Sequence, residues 1–325
     1  MRTVRFGRTE VQVPVVSLGT WAHGGENQVG ERSVGWSGHD RDKAAAALRA
    51  AWGAGITHWD TADVYGDGRA EELIGAAWGD VPRQEIFLAT KVGWDPGPWG
   101  HFYHPQQVQA RLERSLRLLR TETIDLCYLH HCDFGPDDVH LEPALGLLRR
   151  FQREGKVRFI GLSDWDCARI MRVIARVDPD VVQPYRNVID DQYAASGLQD
   201  WVDRHDLGVA FFSPIRHGLL LGKYTAPVEW PAGDFRRNVE AFRDQAQLDR
   251  LRAHRDQLQA RFARLPEPVL NPLLGALLAD APAGCTLLGM RNPEQVRSAA
   301  AAGEALTSED AAWVRELYRD LRAQS

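Results

Sequence analysis

Short apolar runs and longer amphipathic stretches alternate along most of the chain. The runs are rich in Val, Ile, Leu and Phe without a polar alternation, which is typical of strands covered on both faces. They predict strands at residues 14–20, 55–62, 85–93, 123–131, 157–163, 180–185, 208–214 and 285–290. The stretches between the first seven runs have a helical period, and the first, DKAAAALRAAWGAG, ends on glycines that stop a helix. Eight strands alternating with helices predict an α/β fold, the closed (β/α)8 TIM barrel, with an open doubly wound sheet as the alternative.

Three segments lie outside this repeat. Residues 1–13 predict a small hairpin, with GRTE as its turn, that plugs the bottom of the barrel. Residues 214–243 are too long for an ordinary strand-to-helix connection and predict a lid or ligand loop. The tail LTSEDAAWVRELYRDLRAQS predicts an extra C-terminal helix, begun by Thr307 or Ser308 and packed outside the barrel. No linker-like stretch interrupts the chain, so residues 1–325 are predicted to form a single domain.

Composition narrows the class of protein. Hydrophobic content of 44% and charged content of 26% are those of a soluble globular protein, and a net charge of -5 gives no reason to expect nucleic acid or an anionic membrane. The N-terminus lacks the apolar core of a signal peptide, and no apolar run approaches the roughly 18 residues of a membrane span. The four cysteines form no CxxC pair and no disulfide framework. We therefore expect a cytoplasmic protein with reduced thiols, whose oligomeric state stays open.

Polar side chains follow consecutive predicted strands. In HWDTADVYGDG the second strand ends on Asp60, with Tyr65 in the loop, while Lys91 ends the third strand and His130 the fourth. Lysine is rare here, with four among 39 basic residues, so a lysine at a strand end is notable. A lysine ammonium beside a phenol lowers the tyrosine pKa, and such a phenol can protonate a carbonyl oxygen while hydride reaches the carbon. Because barrel enzymes place their chemistry at these strand ends, the four residues predict a catalytic acid site.

Each of these residues also has a purely structural interpretation. Asp60 could be a helix N-cap, Lys91 a strand-end charge that reaches solvent, and His130 a core histidine. Tyr65 could be an ordinary loop aromatic. Four such residues on three consecutive strand ends are harder to explain in that way. A metal hydrolase is disfavoured, because side chains alternate along a strand and only two residues of HHCD could face one ion.

Several motifs together resemble those of a known family. GITHWDTADVYGDGRAEELIG, FLATKVG, IDLCYLHHCD, GKVRFIGLSDW, FFSPIRHGLLLGKY and LLGMRNPEQV resemble, in order and spacing, the signatures of the aldo-keto reductase superfamily. The resemblance runs from about residue 3 to residue 300, and it looks closest to the bacterial branch that also resembles potassium-channel beta subunits. It implies a catalytic tetrad of Asp60, Tyr65, Lys91 and His130.

The resemblance also implies a coenzyme, NADP(H), with NAD(H) not excluded. No Rossmann fingerprint is present, because GDGRAE has Glu71 where the last glycine belongs. The implied contacts are Ser163, Asp164 and Gln183 at the nicotinamide carboxamide, Phe212 stacked on the ring, the loop of Ser213, Ile215, Gly218, Leu219 and Lys223 over the pyrophosphate, Arg291 at the 2′-phosphate and Gln295 at the adenosine. The alternative interpretation of Arg291 is that it is only a surface charge at the start of a helix, with no contact to a coenzyme.

The chain departs from the family pattern at several of these positions. Asp164 stands where the family usually has Asn, and Phe212 where tyrosine is commoner. Arg186 occupies a position where a tyrosine often precedes Asn187. Ser298 and Ala299 replace a Glu-Asn pair near the adenosine, which leaves the preference for NADP(H) over NAD(H) open.

Aromatic residues in the first and third loops suggest an apolar or aromatic carbonyl substrate, unless they only pack the loops together. The candidates are Trp21 and Trp94, with Trp99, Phe102 and Tyr103 nearby. The sequence as a whole predicts an NADPH-dependent reductase that converts small aldehydes or ketones to alcohols, with Tyr65 as proton donor. The alternative is an NADP(H)-binding barrel that senses redox state or binds a partner, with little turnover.

Overall fold

A closed barrel of eight parallel strands, surrounded by helices, forms the centre of the computed structural model, which describes residues 1–29 and 31–322. The strands are β1 Thr3–Arg5, β2 Gln12–Pro14, β3 Val16–Gly19, β4 Gln28–Val29, β5 Arg32–Ser33, β6 His58–Asp60, β7 Phe87–Val92, β8 Ile124–Leu129, β9 Val157–Asp164, β10 Val181–Pro184, β11 Gly208–Phe211 and β12 Gly284–Gly289. The barrel runs from β3 through β6 to β12 in chain order, and β12 pairs with β3 to close it. The predicted TIM barrel is confirmed, and each predicted run overlaps one barrel strand.

Helices follow the barrel strands and cover their outer faces. They are α1 Arg41–Gly53, α2 Arg69–Ala77, α3 Pro105–Leu118, α4 Leu141–Arg153, α5 Cys167–Val177, α6 Leu198–His205, α7 Gln245–Arg261, α8 Leu270–Leu278, α9 Pro293–Ala301, α10 Ser308–Leu317 and α11 Arg319–Arg322. Local chemistry sets several starts. The Asp40 carboxylate, for example, accepts hydrogen bonds from the backbone N–H groups of Asp42 and Lys43 and caps α1. Among the described residues, no helix is both long enough and apolar enough to cross a membrane.

The N-terminal hairpin closes the bottom of the barrel, as predicted. Strands β1 and β2 pair antiparallel around the turn that contains GRTE. Just after β1, Phe6 is fully buried, with its ring 6.0 Å from that of Phe87 and 5.5 Å from that of His58. His58 and Phe87 begin β6 and β7, so the plug lies at the N-terminal ends of the strands, opposite the end that carries the candidate site.

Buried apolar side chains form two layers. An inner cluster fills the barrel and includes Phe6, Ala89, Leu126 and Tyr128, whereas a larger outer cluster lies between the strands and the helices. Along β7, Ala89 points into the barrel and Leu88 points outward to the helices. This double coverage explains why the strands are mostly apolar in sequence, without a regular polar alternation.

The extra C-terminal helix is also confirmed. Helix α10 begins after Thr307, whose hydroxyl accepts a hydrogen bond from the Asp310 N–H at 3.0 Å, and it packs against α8. The predicted tail extends to residue 325, and residues 323–325 lie outside the described part. Helices α7 and α8 were not predicted. The sequence of α8, LNPLLGALL, is apolar on all sides because the helix is buried, so it lacks an amphipathic period.

Two long connections cover the upper end of the barrel. Residues 214–243 contain short 3-10 turns rather than a regular helix, and they meet the loop that carries β4 and β5. Asp234 joins the two, because one carboxylate oxygen accepts hydrogen bonds from the Ser37 hydroxyl at 2.6 Å and the Ser37 N–H at 2.8 Å. Asp234 also forms an ion pair with Arg236 at 2.6 Å. The connection therefore lies across the barrel mouth, where the sequence predicts a ligand loop.

Candidate active site

The alternation of side chains along three adjacent strands explains how the four candidate residues meet. On β7, Ala89 points into the barrel, and Lys91 is the next residue with that orientation. On β8 the interior residues Leu126 and Tyr128 are followed in the same way by His130. Asp60 ends β6, beside β7. The carboxyl ends of the three strands thus bring a carboxylate, an ammonium and an imidazole to the same end of the barrel.

Lys91 stands at the centre of this group. Its Nζ atom lies 2.5 Å from Oδ1 of Asp60, 2.8 Å from the backbone oxygen of Thr61 and 3.1 Å from the hydroxyl oxygen of Tyr65. The other carboxylate oxygen of Asp60 accepts a hydrogen bond from the side-chain amide of Gln183 at 2.9 Å. Lys91 is only 1% exposed and Asp60 only 3%. Asp60 is therefore a buried partner of the lysine, and the N-cap interpretation is wrong.

The ion pair keeps the lysine charged. Burial alone lowers the pKa of Lys91, but the negative charge of Asp60 and the neighbouring phenol outweigh burial and raise that pKa above its ordinary value. Burial raises the pKa of Asp60, while Lys91 and the hydrogen bond from Gln183 act in the opposite direction. A charged lysine with three oxygen partners is the arrangement in which a buried ammonium is tolerated.

Tyr65 holds its proton more firmly than the sequence suggested. Burial raises the pKa of its phenol above the ordinary value, and the charge of Lys91 offsets this only in part. The expectation that Lys91 lowers the pKa of Tyr65 below its ordinary value is therefore wrong for the net effect, because removal of water from the phenol is the larger influence. At neutral pH the hydroxyl is protonated and available as a donor.

His130 lies close to the phenol as a neutral imidazole. Its ring centroid is 6.0 Å from that of Tyr65, at an interplanar angle of 77°. Burial and the positive charge of Lys91 lower the pKa of His130 well below its ordinary value. Nδ1 of His130 has no hydrogen-bond partner among the described residues. A neutral histidine can donate one hydrogen bond without competing for the proton of Tyr65.

A cavity of about 580 Å³ opens over Tyr65 and His130. Its aromatic walls are Trp21, Trp94, Trp165, Phe212 and Phe235, and its polar lining includes Asn27, Gln28, Asp67, Asp95 and Arg111. The rings of Trp21 and Tyr65 stack at 6.0 Å, and the ring of Trp94 lies 5.6 Å from that of His130. The structure therefore brings both predicted substrate residues, Trp21 and Trp94, to the cavity.

Three other aromatic candidates lie elsewhere. Trp99 is 38% exposed on the surface, and Tyr103 is fully buried, with its hydroxyl donating to the His131 backbone oxygen at 2.5 Å. Phe102 packs against the His131 ring at 4.4 Å, on the far side of Trp94. Sequence analysis missed Trp165 and Phe235, although Trp165 follows β9 directly and could have been found from that position.

Part of the candidate coenzyme set faces the same cavity. Ser163, Gln183 and Phe212 line it, and the Ser163 hydroxyl donates to the Gln183 backbone oxygen at 2.9 Å. Asp164 does not line it. Its two carboxylate oxygens accept hydrogen bonds from the backbone N–H groups of Cys132 at 2.7 Å and of Asp166 at 2.9 Å. The acid at this position therefore holds two loops together.

The remaining candidates surround the long connection. Ser213 and Gly218 have positive φ angles of 56° and 87°, so the chain turns sharply there. Ile215 packs against the apolar core and Leu219 is part of it. The pKa of Lys223 is lowered by burial and by the nearby charges of Arg291 and Arg236. Such mutual repulsion of cations marks a place where an anion would be stabilised.

Arg291 and Gln295 are connected through the start of α9. The Gln295 side-chain oxygen accepts the Arg291 backbone N–H at 2.8 Å, and the Arg291 guanidinium donates to the Ser37 backbone oxygen at 3.1 Å. No salt bridge among the described residues contains Arg291 or Lys223, which leaves both charges open to a ligand. Ala299 is 1% exposed and packs in the apolar core, so its small size suits that packing.

Arg186 takes part in packing and ion pairs away from the cavity. It is buried, it pairs with Asp191 and Asp280 at 2.9 Å, and its guanidinium lies over the rings of Tyr193 and Phe211. Within the described residues no group of three or more His, Cys, Asp or Glu side chains is arranged to hold a metal ion.

Comparison with known proteins agrees with this architecture. The sequence profile of the aldo/keto reductase family matches residues 15–319. The chain is 32% identical over 206 residues to a Schizosaccharomyces pombe aldo-keto reductase named for NADP(+), with 61% of this chain and 59% of that protein covered. It thus spans about three fifths of that relative. It is 26% identical to the NADH-specific methylglyoxal reductase of Escherichia coli, with 99% of both chains covered.

Two further comparisons concern the branch and the fold. A probable voltage-gated potassium channel subunit beta from Oryza sativa is 29% identical, with 69% of this chain and 67% of that protein covered. The solved structure of a glycerol dehydrogenase from Gluconobacter oxydans superimposes with a TM-score of 0.80 at 26% identity, covering 98% of this chain and 95% of that one. The predicted resemblance, including that to channel beta subunits, is confirmed.

Proposed function

Because the chain belongs to the aldo/keto reductase family, we propose that it reduces the carbonyl group of small aldehydes or ketones to an alcohol with NADP(H). One observation carries this proposal. The ammonium of Lys91, held by Asp60, lies 3.1 Å from the phenol of Tyr65 at the base of an aromatic cavity of about 580 Å³. A protonated phenol beside a buried cation is suited to give a proton to a carbonyl oxygen.

Tyr65 is the proposed general acid. When the phenol loses its proton to the developing alkoxide, a phenolate forms next to the charged ammonium of Lys91, which stabilises it. Asp60 keeps that ammonium in place and charged. The cation therefore stabilises the deprotonated tyrosine in the transition state more than the neutral tyrosine before reaction, which is the requirement for catalysis.

His130 is proposed to orient the substrate. Its imidazole is neutral, so it can donate one hydrogen bond to the carbonyl oxygen while Tyr65 approaches the same oxygen. The nearly perpendicular rings of the two residues allow their polar groups to converge. Trp21 and Trp94, on the cavity walls, are proposed to hold the apolar part of the substrate.

The coenzyme residues form the other half of the proposal. A bound dihydronicotinamide supplies the hydride for the carbonyl carbon. Ser163 and Gln183 are proposed to bind its carboxamide, with Phe212 against the ring, since all three line the reacting cavity. Asp164 is proposed to support this site from beneath, because its oxygens already accept two backbone N–H groups.

The phosphate groups are proposed to lie under the long connection. Its residues Ser213, Ile215, Gly218, Leu219 and Lys223 would cover the pyrophosphate. Arg291 would meet the 2′-phosphate and Gln295 would lie at the adenosine. The positive charges of Lys223 and Arg291, which lie close together and form no salt bridge with any described residue, support this placement. One relative is named for NADP(+) and another for NADH, so the coenzyme preference of this chain has to be measured with both coenzymes.

The direct test follows NADPH oxidation optically with a panel of aliphatic, aromatic and sugar aldehydes. Turnover of at least one aldehyde class supports the proposal. Tight binding of NADPH without turnover of any carbonyl would contradict it. Such a result would favour a coenzyme-sensing barrel, the second candidate, to which the similarity to a probable channel beta subunit points.

A further inference from the structure

A second cavity lies beside the catalytic one. Its volume is about 550 Å³, and it shares two wall residues, Trp94 and Trp165, with the catalytic cavity. We propose that this second cavity is a distal subsite for the same substrate, so that preferred carbonyl compounds carry a second, uncharged aromatic ring beyond the group that reacts. The proposal rests on the proposed reductase function.

Trp94 and Trp165 separate the two cavities. Their ring centroids are 5.6 Å apart. The ring of Trp94 lies 5.6 Å from that of His130 on the catalytic side and 5.3 Å from that of His131 on the other side. An elongated ligand that runs along this tryptophan would therefore extend from the reacting end towards the second cavity.

Trp165 is unusually exposed for a residue of its size. It is 39% exposed, although it contacts the catalytic cavity, the second cavity and the ring of Phe212. Because Trp165 lines both cavities, a ligand that spans them would contact this tryptophan.

Part of the lining of the second cavity suits an uncharged ring. Phe102 and His131 form one wall, with ring centroids 4.4 Å apart at 80°. Burial lowers the pKa of His131 to about 4, so this imidazole is neutral at neutral pH. The carboxylate of Asp164 reaches the wall but is tied to two backbone N–H groups. Aromatic rings pack well edge to face against such surfaces.

The charged part of the lining of the second cavity disfavours an anionic substituent. Asp133 and Asp166 contribute two carboxylates there, and Arg169 contributes one guanidinium. With His131 neutral, this lining has a net negative charge. A distal hydroxyl group could donate a hydrogen bond to Asp133 or Asp166, whereas a distal carboxylate or phosphate would be repelled.

The test compares two substrates that react at the same group. Benzaldehyde fills only the catalytic cavity, and 4-benzyloxybenzaldehyde adds a second ring. We expect wild-type protein to show a kcat/KM at least tenfold higher for the longer aldehyde, mainly through KM, because distal contacts bind the ground state and the transition state alike. Phe102→Ala should lower kcat/KM for the longer aldehyde about tenfold and change that for benzaldehyde less than threefold.

Trp99→Ala is the matched control. Trp99 lies in the same loop as Phe102 but lines neither cavity, so this variant should leave both substrates unchanged. Equal losses for both aldehydes in Phe102→Ala, or no preference for the longer aldehyde in the wild type, would overturn the subsite while leaving the reductase proposal intact.

A binding measurement keeps the subsite testable in the absence of turnover. Quenching of tryptophan fluorescence by 4-benzyloxybenzyl alcohol measures occupancy directly, and Phe102→Ala should weaken this binding about tenfold. Unchanged affinity in that variant would overturn the subsite. Failure of every aldehyde to react would overturn only the reductase function.

Discussion

The Nζ atom of Lys91 lies 3.1 Å from the hydroxyl oxygen of Tyr65. Both residues belong to the barrel mouth, but they come from different strand ends, so the barrel itself fixes the distance. The relationship matters because burial and charge act on Tyr65 in opposite directions. Burial raises the pKa of the phenol and keeps it protonated, while the nearby ammonium is ready to stabilise the phenolate.

The Lys91–Asp60 pair should contribute strongly to stability. Lys91→Met removes the ammonium and leaves the buried carboxylate of Asp60 without its cation, so we expect the free energy of unfolding to fall by about 3–5 kcal/mol. Urea denaturation followed by circular dichroism measures this change. The double variant Lys91→Met, Asp60→Asn should recover part of the loss, since it no longer buries an unpaired charge. If the double variant were less stable than Lys91→Met alone, the unpaired charge would not be the cause.

The burial of Asp63 should make the stability of the folded protein depend on pH. Asp63 is 1% exposed, neither carboxylate oxygen has a hydrogen-bond partner in the part of the chain that the structure describes, and burial raises its pKa to about 7. The nearest cation is Arg111, whose Nε lies 3.7 Å away. The folded protein holds this proton more tightly than the unfolded chain, so the contribution to stability is complete below about pH 4 and is lost as pH rises towards about 7.

Asp63→Asn should therefore stabilise the protein at high pH. We expect the free energy of unfolding to rise by about 1–3 kcal/mol at pH 8, with a smaller gain as pH falls towards 4. Urea midpoints of the wild type and the variant across this range provide the measurement. A gain that does not vary with pH, or a loss at pH 8, would show that the carboxylate is not the titrating group.

Arg291 should decide between the two coenzymes. If its guanidinium meets the 2′-phosphate, Arg291→Ala removes a charge-assisted hydrogen bond, and the Kd for NADPH should rise about 10- to 100-fold. The Kd for NADH, which lacks that phosphate, should stay within about twofold. Fluorescence titration of both coenzymes measures the ratio. Equal weakening of NADPH and NADH would place Arg291 away from the 2′-phosphate.

Much of the fold could be predicted because the barrel strands are covered on both faces. That coverage makes β7 and β8 mostly apolar, and the polar residues at or just after their ends then mark Lys91 and His130. Helix α8 could not be recognised in the same way. It is buried on all sides, so its sequence lacks the period of an amphipathic helix. With nine residues it is also too short to be distinguished from a buried strand by its length.

The candidate site was harder to predict where it depends on contacts between loops. The position directly after β9 could have indicated Trp165. Phe235, in contrast, reaches the cavity on a loop that Asp234 joins to Ser37, and this contact between distant segments is not visible in the sequence. The direction of the pKa shift of Tyr65 could not be predicted from the sequence either, because it depends on how far the fold buries the phenol. The spacing of residues along the sequence indicates which charged groups can meet. The extent to which each group is buried is known only from the packed structure.

The role of Tyr65 is the central claim, and Tyr65→Phe tests it most directly. The substitution removes the hydroxyl while retaining the ring that stacks against Trp21. The measurement is kcat for NADPH oxidation at saturating aldehyde, with the Kd for NADPH determined on the same samples by fluorescence. The account predicts a fall in kcat of roughly 100- to 10,000-fold with the Kd for NADPH nearly unchanged. A variant that keeps kcat within tenfold of the wild type would contradict the assignment of Tyr65 as the proton donor.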